Sequence, residues 1–492
     1  MPSPIVVLGV SGVYLVVCLV LGMMPSRRVS GTAAGYVAGD RSLGLLVMYF
    51  ITGATIFSAF AFLGGPGWAY SKGAAAFYIL AYGTLGFVPF YFLGPRAARV
   101  GRTFGFVTQA EMVSGRFGKR SIAGVMAVIS IVAFVPYLAL QIKGAGYVLF
   151  AVSDGWIPIA VGGGIVYTVV AIYVLRSGVL GVGWTNTFQG IFMMLLAWGL
   201  GLYLPYRLYG SVGEMFARIA EVRPEMLLAP GLDAAGNPWN WGEYSTAVLV
   251  SIIGFSVWPH LFMKAFTARD ERIIRRTVVL YPTFQIFLVP LFLIGFAGVL
   301  FEPAPAAPDQ ILPHMLMNME IPAILVGLFC AGALAASMSS GDAMVHAAAS
   351  IGVRDGIVEA IGIKIDEARQ RTYIRYLVVV VLIAAYLTAV AYKGSLVQLL
   401  LTSYGAIVQF MPAILATLYW RRATGVAVLW GMIGGAAVTA VFFVFQDLRP
   451  FPLHAGVYGL LANGILLVAI TLATRSDSPQ RDRDFIEIAG TP

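Results

Sequence analysis

Apolar residues run for about twenty positions at a time along most of this chain, and charged residues are largely confined to the gaps between the runs. A run of that length crosses the hydrocarbon core of a bilayer, about 30 Å thick, as an α-helix. Thirteen runs can be drawn, roughly at 4–22, 44–70, 74–94, 121–150, 157–175, 183–207, 245–266, 277–300, 322–349, 373–392, 396–419, 426–445 and 455–473. They predict an all-α, polytopic membrane protein with about 13 transmembrane helices. The strands of an outer-membrane barrel alternate apolar and polar residues over about ten positions, and no such alternation is present here. The run at 4–22 lacks a basic segment before it and a good cleavage site after it, so it reads as a spanning helix and not as a signal peptide.

Composition supports the same class: of 492 residues, 59% are hydrophobic and 11% charged, about half the charge of a soluble domain. With the N-terminus outside, 25 of the 32 Lys and Arg fall on the cytoplasmic side. Six are outside (Lys72, Arg207, Arg218, Arg223, Lys393 and Arg449), and Lys143 is within a span. The positive-inside rule therefore predicts a multi-pass plasma (inner) membrane protein with its N-terminus outside and its C-terminus cytoplasmic. The net charge of +9 lacks the basic clusters, interleaved with aromatics, that a nucleic-acid groove needs. The expected partners are thus the lipid bilayer and a small-molecule solute, and no nucleic acid. Cys18 and Cys330 lie in apolar runs and build no disulfide framework. The exterior segment 208–244 is expected to pack on the outer face, and the polar tail from Arg475 to be disordered.

Two runs carry helix-breaking residues. Gly53-Ala54-Thr55 is followed by Leu63-Gly64-Gly65-Pro66-Gly67, and five runs later comes Gly254-Phe255-Ser256-Val257-Trp258-Pro259-His260. Breaks in corresponding helices of two inverted repeats are a hallmark of secondary transporters, because the freed carbonyls must face protein, water or an ion. The alternative is the ordinary abundance of Gly and Pro in membrane helices. The ninth run holds Ala335-Ala336-Ser337-Met338-Ser339-Ser340-Gly341-Asp342. Ser339 and Ser340, three and four residues beyond Ala336, share its helical face. Their hydroxyls, with carbonyls of a broken helix, make an oxygen cage suited to a hard monovalent cation, or else a close-packed polar interface.

These residues resemble the sodium:solute symporter family over roughly 40–470. The resemblance is carried in order by Gly53-Ala54 with Pro66-Gly67, Tyr137 through Gln141-Ile142-Lys143-Gly144-Ala145-Gly146, and Arg176-Ser177-Gly178 through Trp184-Thr185-Asn186-Thr187-Phe188-Gln189. Trp258-Pro259-His260, Ala335 to Asp342, and Tyr419-Trp420-Arg421-Arg422-Ala423-Thr424-Gly425 complete it. It implies a five-plus-five inverted-repeat core of the leucine-transporter type, with a first helix and loop (1–43), a first repeat (44–207), an extracellular loop (208–244), a second repeat (245–422), two further helices (423–474) and a tail (475–492). It also implies a co-transported sodium ion held by the carbonyls of Ala54, Phe57 and Ala336 and the hydroxyls of Ser339 and Ser340. Two departures bear on coupling: Asn186 stands where an Asp is usual, and Asp342 is a carboxylate where some members have a serine. A second sodium site is thereby put in doubt, and proton coupling through Asp342 becomes an alternative. The bland role for Asp342 is a hydrogen bond to Asn186 or His346.

Candidate solute contacts are Trp258 and His260 at the second break, with Tyr137, Tyr404 and Gln409 facing the same predicted centre. Lys143 either meets an anionic solute or snorkels to the interface. The reading is a sodium-coupled symporter importing a small organic solute, a monocarboxylate or amino acid, by alternating access. A cation channel would need charged rings or a carbonyl filter, and an intramembrane enzyme a catalytic motif; neither is found.

Overall fold

The computed structural model describes residues 3–24, 32–392, 403–475 and 478–490. Among these residues the chain is helical, and the only pairings of extended backbone are isolated bridges, Leu43 with Ala268 and Leu232 with Pro238. Helix is the expected solution in lipid, where each backbone polar group must be satisfied within its own segment. Among the described residues eight helices are long and apolar enough to span, or ten if each of two bent pairs is one span, against the thirteen runs predicted. The predicted run 396–419 is seen as Ser403–Tyr419; its first residues, like Lys393, lie outside the described ones. Large apolar side chains such as Ile5, Val132, Leu195 and Ile383 are exposed on the outer helices, as expected where lipid is the solvent.

Local chemistry sets the helix ends. Asn240 accepts from the backbone N–H of Gly242 and Glu243, Asp270 from Ile273, Asp366 from Arg369 and Thr424 from Ala427. Each cap satisfies an N–H that the first helical turn leaves unpaired. The segment Ile159–Tyr209 contains two of the predicted runs as two helices, joined across a kink at Gly178 with φ 55° and ψ −146°. That conformation is open to glycine and strained for other residues.

The helix Ala323–Ile351 runs through the centre. It packs against Arg120–Val152, Ile159–Tyr209, Pro4–Met23 and Leu45–Ile56, and is buried continuously from Phe329 to Ile351. Its Gly, Ala and Ser residues permit that close approach: a Cβ on Gly341 would lie 2.1 Å from the Tyr167 hydroxyl.

Both predicted interruptions are bends, of 55° between Leu45–Ile56 and Phe60–Leu85 and of 43° between Trp241–Phe255 and Pro259–Thr267. The first does not fall at the Gly64–Gly67 cluster. It falls at Phe57, with φ −76° and ψ 74°, while Pro66 opens the helix Gly65–Lys72, where its missing N–H costs nothing. The segment 208–244 contains the helix Val212–Val222 and returns onto the core, Leu232 N–H donating to the Lys72 carbonyl at 3.0 Å.

The tail departs from expectation. Pro479–Gly490 is a docked helix with Asp482, Phe485 and Ala489 buried. Phe485 stacks on Phe104 at 5.4 Å, and Asp482 lies 3.8 Å from the buried Arg116. Burial lowers the Arg116 guanidinium to about 10, so it stays charged at neutral pH and keeps that pairing.

Candidate functional site

At the first break the helix Leu45–Ile56 ends inside the protein, and its last carbonyls turn to the central helix. Ser339 Oγ donates to the Ala54 carbonyl at 2.8 Å and to the Ala336 carbonyl at 3.2 Å. Ser340 Oγ donates to the Thr55 carbonyl at 2.6 Å. Ala54, Thr55, Ala336, Ser339 and Ser340 are all 0% exposed. The structure thus brings four of the five predicted ligand residues into one hydrogen-bonded cluster. Phe57 is at the bend itself, its ring stacked on Phe287 at 3.9 Å. The donor set is neutral oxygen throughout, and the hydroxyls can turn their protons away to offer lone pairs. Such a set fits a hard, weakly charged cation. Thr55 was missed from sequence, because which carbonyl beside a break faces the partner helix depends on local backbone angles.

Asn186 borders this cluster. Its amide nitrogen donates to Thr55 Oγ1 at 3.1 Å and to the Ser339 carbonyl at 3.0 Å. Asp342, one turn beyond Ser339, accepts from Tyr173 Oη at 2.8 Å and from Thr185 Oγ1 at 3.2 Å through one oxygen. Its other oxygen has no side-chain hydrogen-bond partner among the described residues. The expected bond from Asp342 to Asn186 or His346 is not what forms: His346 instead meets the Tyr36 carbonyl at 3.1 Å. Tyr173 and Thr185 flank the Gly178 kink, one on each of the helices it joins, and both reach the carboxylate. Lys264, counted with a cytoplasmic loop in the charge balance, is instead buried on Pro259–Thr267.

The second break is lined with aromatics. Trp258 lies 5.3 Å from Tyr137, 5.5 Å from His260, 5.6 Å from Phe134 and 5.7 Å from Tyr404, ring centre to ring centre. Four of the predicted solute contacts therefore meet in one packed aromatic cluster. Gln141, one turn beyond Tyr137, accepts from the Ala59 N–H at 2.9 Å and so joins the helix of Tyr137 to the first break. Trp258 Nε1, Gln141 Nε2 and His260 Nδ1 are buried without a hydrogen-bond partner among the described residues. Gln141 stood within a quoted motif, but its geometry was not legible there.

Two candidates sit elsewhere. Gln409 bonds Thr439 Oγ1 and the Gly456 carbonyl and accepts from Asn463, tying Ser403–Tyr419 to the two C-terminal helices and not to that cluster. Lys143 donates to the Tyr392 carbonyl at 2.9 Å and lies over the rings of Tyr147 and Tyr392. It thereby meets the C-terminal end of Glu367–Ala391, where a cation complements the helix dipole.

A family model described as the sodium:solute symporter family matches residues 36–435. The chain is 28% identical to the uncharacterized symporter YhjB of Bacillus subtilis, over 94% of this chain and 96% of the relative. It is 24% identical to the monocarboxylate transport permease protein of Rhizobium johnstonii, over 95% and 97%. Among solved structures, that of a Na⁺-coupled sialic acid symporter, bound to substrate in an outward-open state, matches with a TM-score of 0.79 at 20% identity. That match covers 96% of this chain and 98% of the other, and it shares the bent-helix fold described above.

Proposed function

This chain belongs to the sodium:solute symporter family, multi-pass membrane transporters and not enzymes, and from that premise we propose that it couples entry of one sodium ion to uptake of a small carboxylate. Sodium binds at the carbonyls of Ala54, Phe57 and Ala336 and the hydroxyls of Ser339 and Ser340. Thr55 supports the cage through Ser340. The solute binds between the two breaks, in a chamber bounded by Trp258, Tyr137, Tyr404 and His260.

The observation that carries the solute class is the pair of buried, unpartnered N–H donors, Trp258 Nε1 and Gln141 Nε2. Both groups only donate, and leaving a buried donor unmade costs about 1–3 kcal/mol. An acceptor-rich carboxylate satisfies both, while the aromatic walls admit an apolar body. The sequence-based argument for an acid solute rested on Lys143 and on Trp258-Pro259-His260; the orphan donors now carry it in place of Lys143. The names of the monocarboxylate permease and the sialic acid symporter agree with an acidic solute.

Uptake into proteoliposomes tests both halves. Ser339→Ala and Ser340→Ala are each expected to raise the sodium concentration for half-maximal uptake by about tenfold or more, the loss of one charge-assisted contact. Unchanged sodium dependence in both would refute the site. In a competition panel, short aliphatic monocarboxylates should compete and their primary amides should not; the reverse would exclude a carboxylate solute.

A further inference from the structure

Four arginines meet where two packed helices leave the apolar core. Phe90–Phe104 contributes Arg99 and Arg102 from its C-terminal half, and Glu271–Gln285 contributes Arg272 and Arg275 from its first two turns. With Asp270 and Glu271 they line a groove of about 580 Å³. The two helices pack directly on each other, so its walls are set by the fold and not by one loop. Glu271 is already engaged: Arg99 donates to both of its oxygens at 2.8 Å, and Arg102 lies 3.7 Å from it. Asp270 caps its helix by accepting from the Ile273 N–H and lies 3.8 Å from Arg269. Arg272 and Arg275 are exposed, and among the described residues neither has a carboxylate within 4.0 Å. Four arginines against two carboxylates leave the lining at a net charge of +2.

The surface next to the groove faces lipid. One turn beyond Arg275 and Arg276 on Glu271–Gln285 come Val279 and Leu280, 66% and 41% exposed, and steps of three or four residues keep a helix face continuous. Tyr91, exposed on the neighbouring helix, has its ring centre 5.9 Å from the Arg275 guanidinium. Charge, then an aromatic ring, then aliphatic carbon is the order of layers through a bilayer interface. Basic pockets between spanning helices at that level recognise anionic headgroups.

We propose that this groove binds the headgroup phosphate of an anionic phospholipid, whose acyl chains run along Tyr91, Val279 and Leu280. A guanidinium fork meets phosphate oxygens through two parallel hydrogen bonds and is more weakly hydrated than an ammonium, so arginine suits the task. Arg272 and Arg275 supply the forks not engaged by a carboxylate, and Arg102 stands beside them. Arg99 stays on Glu271 and fixes the wall. A free phosphate shares the oxyanion chemistry but makes no use of the apolar surface, so the lipid is the occupant the site fits. The bound lipid ties the ends of Phe90–Phe104 and Glu271–Gln285 together, whatever the transported solute is.

The test is titration of the purified full-length protein in detergent with phosphatidylglycerol, phosphatidylcholine or inorganic phosphate, read by native mass spectrometry and thermal unfolding. Phosphatidylglycerol should bind at least about tenfold more tightly than phosphatidylcholine and raise the melting temperature, because it binds the folded state. Arg272→Gln/Arg275→Gln should lose about tenfold or more of the phosphatidylglycerol affinity, each arginine near the membrane surface being worth about a factor of five. Arg421→Gln/Arg422→Gln, an exposed pair outside the groove, should keep that affinity. Equal losses in the two pairs would mean general surface charge and overturn the site, as would wild-type lipid affinity in Arg272→Gln/Arg275→Gln. Stabilisation by inorganic phosphate equal to that by the lipid would overturn the lipid as occupant. If the double variant does not fold, Arg272→Gln and Arg275→Gln singly are read in its place, each losing about fivefold, and unchanged affinity in both overturns the proposal.

Discussion

At the level of single residues, conformation and partner decide more than residue type. Gly178 is held at φ 55° and ψ −146°, and a Cβ there would lie 2.6 Å from the Tyr36 ring. Gly178→Ala should therefore cost about 3 kcal/mol or more, strain and overpacking together. Thermal unfolding of the purified variant checks this, and a wild-type melting temperature would show that the kink tolerates a side chain. Lys143 illustrates the opposite case, an unusual residue with an ordinary task. With its ammonium on the Tyr392 carbonyl, Lys143→Gln should leave sodium and solute affinities within about twofold of wild type while lowering stability by about 1.5–3 kcal/mol, the worth of a charged hydrogen bond. A large loss of solute affinity with stability intact would return Lys143 to the solute site.

At the level of elements, the two bends and the docked tail are the features with consequences. Pro259 opens the second half of a broken span, and its missing N–H and fixed φ stop the helix Trp241–Phe255 from continuing. Pro259→Ala should allow a straighter helix, preserving expression while cutting the maximal uptake rate at least about tenfold, since the bend shapes the proposed chamber. Wild-type uptake would show that Ser256 and Trp258 suffice to hold the bend. The C-terminal helix is anchored by Phe485 on Phe104, by Asp482 near Arg116 and by Arg99 on the Ala489 carbonyl. Phe485→Ala should cost about 3 kcal/mol, the loss of a buried aromatic, and proteolysis of the tail should quicken; an unchanged cleavage rate would mean that the helix is not docked in solution.

Across the whole molecule, one sodium ion entering down a potential of 100 mV releases about 2.3 kcal/mol, enough for roughly a 50-fold solute gradient at about 1.4 kcal/mol per tenfold. A single bound ion predicts a reversal potential in proteoliposomes fitting one sodium per solute, and a 2:1 ratio would contradict the single site. The Lys and Arg balance predicts a cytoplasmic C-terminus. A fluorescent protein fused there should mature and shine, whereas an alkaline phosphatase fusion should be inactive.

Much of this was legible in the sequence because a membrane simplifies the problem. Lipid demands long apolar helices with satisfied backbones, so the spans, the helical class and the existence of two breaks follow from hydropathy and from Gly and Pro placement. The Ala336–Ser340 spacing is likewise local, three or four residues being one helical turn, and the structure brings both serines to carbonyls of the first break. What sequence could not specify depends on rotation and approach between helices far apart in the chain. The bend at Phe57 and not at Gly64–Gly67, the turning of Gln409 to the C-terminal helices, the capping of a helix end by Lys143 and the docking of the tail all belong here. So does the burial of Lys264 and of Asp342, 78 positions apart in sequence: a charged residue in an apolar run is buried or exposed according to how the second broken span and the central helix pack, which no local pattern specifies.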